Sequence, residues 1–421
     1  MGIGTFVNPP NPGAARTASA LRRPAPLGLD IPLLLAVIAL GTFGLLMLYS
    51  ASADFSLLVY ADPGYMFKKQ ILWMVIGAVI CAVLARSDYR LWRKLAVPVM
   101  GVTILLLIGV LINNEVRFGA VRSFFGGSVQ PSELAKLVTI IYLSVWLYSK
   151  REHLHDAQLG LIPLAVILGI VGGLIYIQPD LSATITIFML GGILFFLAGG
   201  ELRQMVLFMV VALAVGWLVV QFSATGRARL VSYLAGLRDP IQSDYQVRRS
   251  LSAIIRGGWF GVGIGRASTK LTGLPVPPTD SIFAVVVEEL GLAGALGLFL
   301  LYGIILWRGL KIAAQAPDML GALLAGGATV WIVIEAGINM AVMVGLLPFA
   351  GNALPFVSAG GSSLISSLAA IGILLSVSRS TALGLVPADS TWRSYRASVD
   401  LRRRDRRRRV SRPGRPASPE R

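Results

Sequence analysis

Apolar blocks, each about as long as a bilayer is thick, alternate along this chain with short polar connections. The blocks fall near residues 31–49, 71–86, 96–112, 133–149, 161–177, 182–198, 205–222, 282–306, 320–344 and 364–378. A helix rising 1.5 Å per residue needs about 20 apolar residues to cross ~30 Å of hydrocarbon. It also satisfies its own backbone, the condition for lying in lipid. The pattern therefore predicts an all-α polytopic membrane protein with about ten transmembrane helices. A large extracytoplasmic loop over 223–280 separates the seventh from the eighth. Around the transmembrane domain, 31–380, stand a proline-containing disordered tail over 1–30 and a basic tail over 381–421. No pattern of small residues follows the first block, so it reads as retained rather than cleaved.

Composition agrees. Hydrophobic residues make up 55% of 421 positions and charged residues 14%, far from the ~45–50% and ~25% of soluble domains. The net charge of +17 is unevenly spread, which orients the chain. One set of connections holds Arg16, Arg22, Arg23, Arg86, Arg90, Arg93, Lys94, Lys150, Arg151, Arg203, Arg308 and Lys311. By the positive-inside rule that set, with both termini, is cytoplasmic. The opposite short loops hold Lys68, Lys69, Arg117 and Arg122. The run from Arg402 to Arg409 reads as an electrostatic anchor for anionic headgroups rather than a nucleic-acid binder. The 223–279 connection breaks the rule, for it is outside by span count yet carries Arg227, Arg229, Arg238, Arg248, Arg249, Arg256, Arg266 and Lys270. It is either a solvated basic surface or a platform for phosphates at the membrane surface. Cys81 is the single cysteine, which excludes an intrachain disulfide, and His153 and His155 sit in a polar loop that makes a poor metal site.

Polar residues are costly at span entrances, and four groups of them stand out. Gln130 to Lys136 places Glu133 and Lys136 three apart on one helix face, an ion pair or the lining of a cavity, with Ser132 able to cap. Asp180 follows Pro179 at a helix start, where capping explains it. In Leu274 to Phe283, Thr279 or Asp280 can cap the eighth span, but capping leaves Glu288 and Glu289, two turns deeper, unexplained. Pro355 to Ser363 brings glycines with Ser362 and Ser363, as donors or as a tight packing turn. The run Gly257 to Gly265 lacks the Gly-Lys-Ser/Thr ending of a nucleotide loop. All four groups lie outside by span count, which predicts an outward-facing polar cavity suited to a substrate with a lipid tail and a phosphate.

In residues 31–380 the chain resembles the SEDS (shape, elongation, division and sporulation) family, whose members include FtsW, RodA and SpoVE. The resemblance rests on Tyr49-Ser50-Ala51-Ser52, Lys69-Gln70, Gln130 through Lys136, Gln178-Pro179-Asp180-Leu181, Asp239-Pro240, Tyr245-Gln246 and Gly261 through Gly265. It continues through Thr279-Asp280, Ile282-Phe283-Ala284, Glu288 through Gly291, Asn339, Leu354-Pro355 and Gly360 through Ser363. It implies an inverting peptidoglycan glycosyltransferase that polymerises lipid II on undecaprenyl pyrophosphate, for division or elongation, in the bacterial cytoplasmic membrane. Asp280 would be the general base. Glu133, Lys136, Arg248, Arg249, Ser362 and Ser363 would bind substrate, with a divalent cation (Mg or Mn) assisting and no organic cofactor. The implied partner is a class B penicillin-binding protein, a transpeptidase. A lipid II flippase and a non-catalytic scaffold are the competing readings. Acids gathered at the outer face rather than the midplane favour chemistry over transport. The chain departs from the family pattern at Val276, Pro278 and Ser281 around the base, and at Ser123, Ala350, Ala359 and Glu335.

Overall fold

A computed structural model describes residues 28–113, 130–154, 156–275 and 277–384. Both tails, the loop bearing Arg117, Arg122 and Ser123, and single residues His155 and Val276 lie outside the described residues. Among those described the regular elements are helices: α1 (Ile31–Tyr60), α2 (Tyr65–Arg86), α3 (Trp92–Asn113), α4 (Pro131–Ser149), α5 (Ile162–Ile177) and α6 (Leu181–Leu197). They continue as α7 (Leu202–Phe222), α8 (Ala224–Arg238), α9 (Tyr245–Gly257), α10 (Ile282–Gln315), α11 (Met319–Met343) and α12 (Gly361–Ala382). Eight of them are long and apolar enough to cross a membrane, against the ten spans expected. The two that fall short are α6, with 17 residues, and α4, which carries Glu133 and Lys136.

Two expectations need correction. The first span does not end at residue 49, since α1 runs 30 residues to Tyr60 and ends on left-handed Ala61. The 223–280 connection is not an open loop either. Ser223 accepts a hydrogen bond from Gly226 and starts α8, and Asp244 does the same for α9 through Gln246. One face of α9 buries Gln246, Val247, Ser250, Ala253 and Gly257, while Arg248 and Arg256 stay exposed. Those spacings of one and two turns are an amphipathic helix, hidden in the sequence by the number of arginines.

The centre is α11 and α12, in which 78% of the most apolar window is buried, and Trp331 on α11 is fully enclosed. Around them α2 packs on α12 through small residues. A Cβ on Gly372 would sit 2.8 Å from the Cys81 carbonyl oxygen. Close backbone approach of this kind holds helices together where lipid supplies no hydrophobic drive between them. The outer faces carry exposed aliphatics, such as Leu213 at 67% and Leu300 at 69%, as a lipid-facing surface requires. At one end of the bundle Arg308 grips Asp30 through two bonds of 3.0 and 2.6 Å, tying α10 to the start of α1.

The longest helix is broken. At Gly291 φ is +69°, which frees the carbonyls of Glu288 and Glu289 and the amides of Leu292 and Ala293 from one another. The Gly257–Gly263 segment enters the gap. Val262 and Gly263 donate to the carbonyls of Glu288 and Glu289 at 2.9 and 3.0 Å, and Leu292 and Ala293 donate to Gly258 and Trp259 at 2.9 and 3.1 Å. All four orphaned groups are paired. Gly261 has φ +78°, and a Cβ there would overlap the Glu289 carbonyl. Gly261→Ala is expected to cost at least ~2 kcal/mol, combining left-handed strain with that overlap. Gly101→Ala, with open space around it, should match or slightly raise the melting temperature of the wild-type protein in detergent. Equal melting temperatures for the two variants would refute this account of the break.

Candidate functional site

Asp280 sits in the turn before α10, and three consecutive backbone carbonyls fix that turn. Ala359 N–H donates to Pro278 at 2.8 Å, Ser358 Oγ to Thr279 at 2.7 Å, and Asn339 Nδ2 to Asp280 at 2.9 Å. The next residue, Ser281, accepts from Gln246 Nε2 at 2.6 Å and donates to the Pro275 carbonyl at 2.9 Å. Two separate segments and two helices therefore hold four successive residues. The cap position of α10 is taken by Ser281 and no side chain caps it, so neither Thr279 nor Asp280 does the capping expected of them. The Asp280 carboxylate is half-buried beside Gly351, where a Cβ would lie 2.9 Å from Oδ2.

The 345–360 segment that supplies Ser358 and Ala359 is itself over-determined. Leu354 N–H donates to Ser358 Oγ at 2.8 Å, Gln70 Nε2 to the Ser358 carbonyl at 3.1 Å, and Tyr302 Oη to the Pro355 carbonyl at 2.5 Å. Phe356 is buried with φ +68°, a conformation costing about 1–2 kcal/mol for a residue of its size. Strain kept in this way marks segments whose shape matters.

One helical turn before Asn339 on α11 stands Glu335, which pairs with Lys136 of α4. Lys136 also pairs with Glu133 at 2.7 Å, and all three side chains are almost wholly buried. Expected as one ion pair, this is two carboxylates sharing one ammonium. Glu133 Oε2 is buried with no partner among the described residues. Since Glu335 and Asn339 are four residues apart, they lie on one face about 6 Å apart, linking the ion cluster to the Asp280 turn.

Other expected site residues fall differently. Arg249 is half-buried one turn from Gln246, whereas Arg248 is exposed and donates to the Ile241 carbonyl; their guanidinium carbons lie 5.4 and 5.5 Å from the Tyr245 ring centroid. Ser362 Oγ accepts from Gln130 N–H at 2.8 Å, and Ser363 is buried beside it, so this pair joins α12 to α4. Ser132 is not a cap, as Gln130 holds that position; it donates to Asp180 Oδ2 at 3.1 Å, and Asp180 Oδ1 caps α6 through Ala183 N–H at 3.2 Å. Glu288 and Glu289 do not join Asp280. Glu288 accepts from the amides of Ser268 and Thr269, and Glu289 accepts from Ser50 Oγ at 2.6 Å and meets Lys270 at 3.5 Å. They latch the 268–270 stretch to α10, and α10 to α1. Among the described residues no three acidic, histidine or cysteine side chains gather as a metal site. Glu133 and Glu335 are already shared by Lys136, so these residues do not fit a bound divalent cation.

Relatives match most of this chain. The profile of the FtsW/RodA/SpoVE family, described as a cell cycle protein, matches residues 31–383. The chain belongs to that family. The probable peptidoglycan glycosyltransferase FtsW of Trichlorobacter lovleyi is 39% identical over 85% of this chain and 95% of its own. The stage V sporulation protein E of Bacillus subtilis is 37% identical over 83% and 97%. Among solved structures, one from a peptidoglycan synthase complex coordinating polymerisation and crosslinking superposes with TM-score 0.71, at 28% identity over 84% of this chain and 99% of that one. The rod shape determining protein RodA of Thermus thermophilus gives 0.63 at 26%, over 84% and 98%. This FtsW/RodA/SpoVE member is thus an integral membrane protein of a family that acts in cell-wall synthesis.

Within that family frame the ion cluster makes a graded prediction. Lys136→Met leaves two buried carboxylates without their cation and is expected to cost about 3–5 kcal/mol. Glu335→Gln leaves a one-to-one pair and should cost under ~1.5 kcal/mol. Thermal unfolding of the purified variants checks the order, and a reversed order would contradict the shared-charge reading.

Proposed function

We propose that this chain polymerises lipid II into glycan strands at the outer face of the bacterial cytoplasmic membrane, with Asp280 as general base. The observation that carries the reading is the clamp on three successive carbonyls, which fixes the turn that bears the Asp280 carboxylate. Such effort on one turn suits a group that must be aimed. Asp280 takes the proton of the acceptor sugar hydroxyl as its oxygen attacks the anomeric carbon of the donor. The bond from that carbon to the undecaprenyl pyrophosphate oxygen breaks, and the diphosphate leaves with the bonding pair. A single displacement of this kind inverts the anomeric centre.

Arg249 and Arg248, near Tyr245 on the helix that also grips Ser281, are the cations for the leaving diphosphate. A class B penicillin-binding protein is the proposed partner, supported by the similarity to a chain from a complex that couples polymerisation to crosslinking. The charge distribution supports a cytoplasmic position for both termini.

The test is lipid II polymerisation by the purified protein, with and without its cognate transpeptidase, comparing wild type with Asp280→Ala at matched melting temperature. General-base catalysis contributes ~10²–10⁴-fold, so the variant should lose at least about a hundredfold while still binding lipid II. Undiminished polymerisation by the variant would refute the role of Asp280. No glycan from either protein, partner present, would move the scaffold and flippase readings ahead.

A further inference from the structure

At the end of the bundle remote from Asp280, a groove of about 760 Å³ opens between α1, α2 and α12. Its walls are apolar, from Val37, Leu45, Met74, Cys81, Ile371 and Leu375, and at its mouth stand Arg86 and Arg379. From Met74 to Arg86 is twelve residues of helix, ~18 Å at 1.5 Å per residue. That is close to the ~15 Å of one leaflet's hydrocarbon. Ile38 and Ala78 are exposed along its length, so the groove faces outward from the bundle.

The two arginines are not spent on carboxylates. Arg379 Nη1 donates to the Arg86 carbonyl at 2.8 Å, Arg86 Nη1 reaches the Ala82 carbonyl at 3.4 Å, and neither forms an ion pair among the described residues. Each guanidinium carries five N–H donors, so most point elsewhere. Asp30, the acid on the adjoining turn, is taken by Arg308. A pair of cations at the headgroup end of a leaflet-deep apolar groove has a clear chemical complement.

We infer that this groove is a binding site for a glycerophospholipid of the bilayer, with an acyl chain along Met74 to Arg86 and an anionic headgroup on Arg86 and Arg379. Basic pockets between spans bind anionic headgroups in this way. A partner helix seated here would make labelling indifferent to headgroup charge, so the test below separates it from a lipid. The Arg402–Arg409 run has the wrong sign for this mouth. The polyprenyl substrate shares the phosphate-and-tail chemistry, but its phosphates are needed at the Asp280 end. From Ile282 to Arg308, beside this groove, is 26 residues of α10.

The test is photolabelling of the full-length protein in nanodiscs by acyl-chain diazirine analogues of phosphatidylglycerol and phosphatidylcholine, with labelled peptides mapped by mass spectrometry. Peptides of the groove should be labelled about thirtyfold more by phosphatidylglycerol, the scale expected of two arginines near a headgroup at ~1 kcal/mol each. In Arg86→Gln/Arg379→Gln the preference should vanish in the groove while labelling of α7 stays unchanged. Ala78→Phe, which fills the groove and keeps both arginines, should cut labelling by both lipids. Equal labelling of the wild-type groove by the two lipids would overturn the inference. So would a preference that survives the double variant, or labelling indifferent to Ala78→Phe. If the double variant does not fold, the wild-type comparison and Ala78→Phe still decide.

Discussion

A helix broken at Gly291 leaves four backbone groups without their helical partners, and this molecule depends on how that break is repaired. Left unpaired, each group would cost several kcal/mol in hydrocarbon. The repair is a peptide segment, Gly257 to Gly263, whose carbonyls and amides replace those the straight helix would have used. Only residues without a Cβ can come so near, as the overlap between a Cβ on Gly257 and the Val287 carbonyl shows. The insertion also docks α9 against α10, and α9 carries Gln246 to Ser281 and Arg249 beside it. The break and the placement of Asp280 are thus parts of one construction.

The second constraint is charge. Lys136 is buried and needs a counter-ion, and the fold gives it two, from α4 and α11. This fixes α11 in rotation about its axis, which sets Asn339 one turn further on to bridge the Asp280 and Asn352 carbonyls. The ion cluster therefore helps decide where the Asp280 turn sits. Glu335, one of the departures from the family pattern, is a member of this cluster rather than an incidental change.

Much of this was legible in the sequence. Apolar blocks of bilayer length announced the all-α membrane architecture, and the costly polar residues Glu133, Lys136 and Asp280 are those of the ion cluster and the clamped turn. What was hidden depended on pairing across long stretches of chain. Glu288 and Glu289 read as cavity acids, because nothing local reveals that Ser50, Ser268 and Thr269 will satisfy them. The role of the Gly257–Gly265 run was legible only in the negative, as a loop that is not for nucleotide. Its signal was the spacing of Gly261 and Gly291, two left-handed positions that meet in space. Asn339 was visible as part of the family pattern, but its task was not, for a side-chain amide bonding a distant carbonyl leaves no periodicity.

The central claim is that the Asp280 carboxylate, and no other feature of the turn, supplies the base. Chemical rescue tests it most directly: polymerisation of lipid II by Asp280→Ala, with its transpeptidase partner present, as formate is added. The account predicts a deeply reduced rate that climbs with formate concentration, because the clamp on Pro278, Thr279 and residue 280 survives the truncation and leaves room for a small carboxylate. A variant that polymerises at the wild-type rate before any formate is added would contradict it.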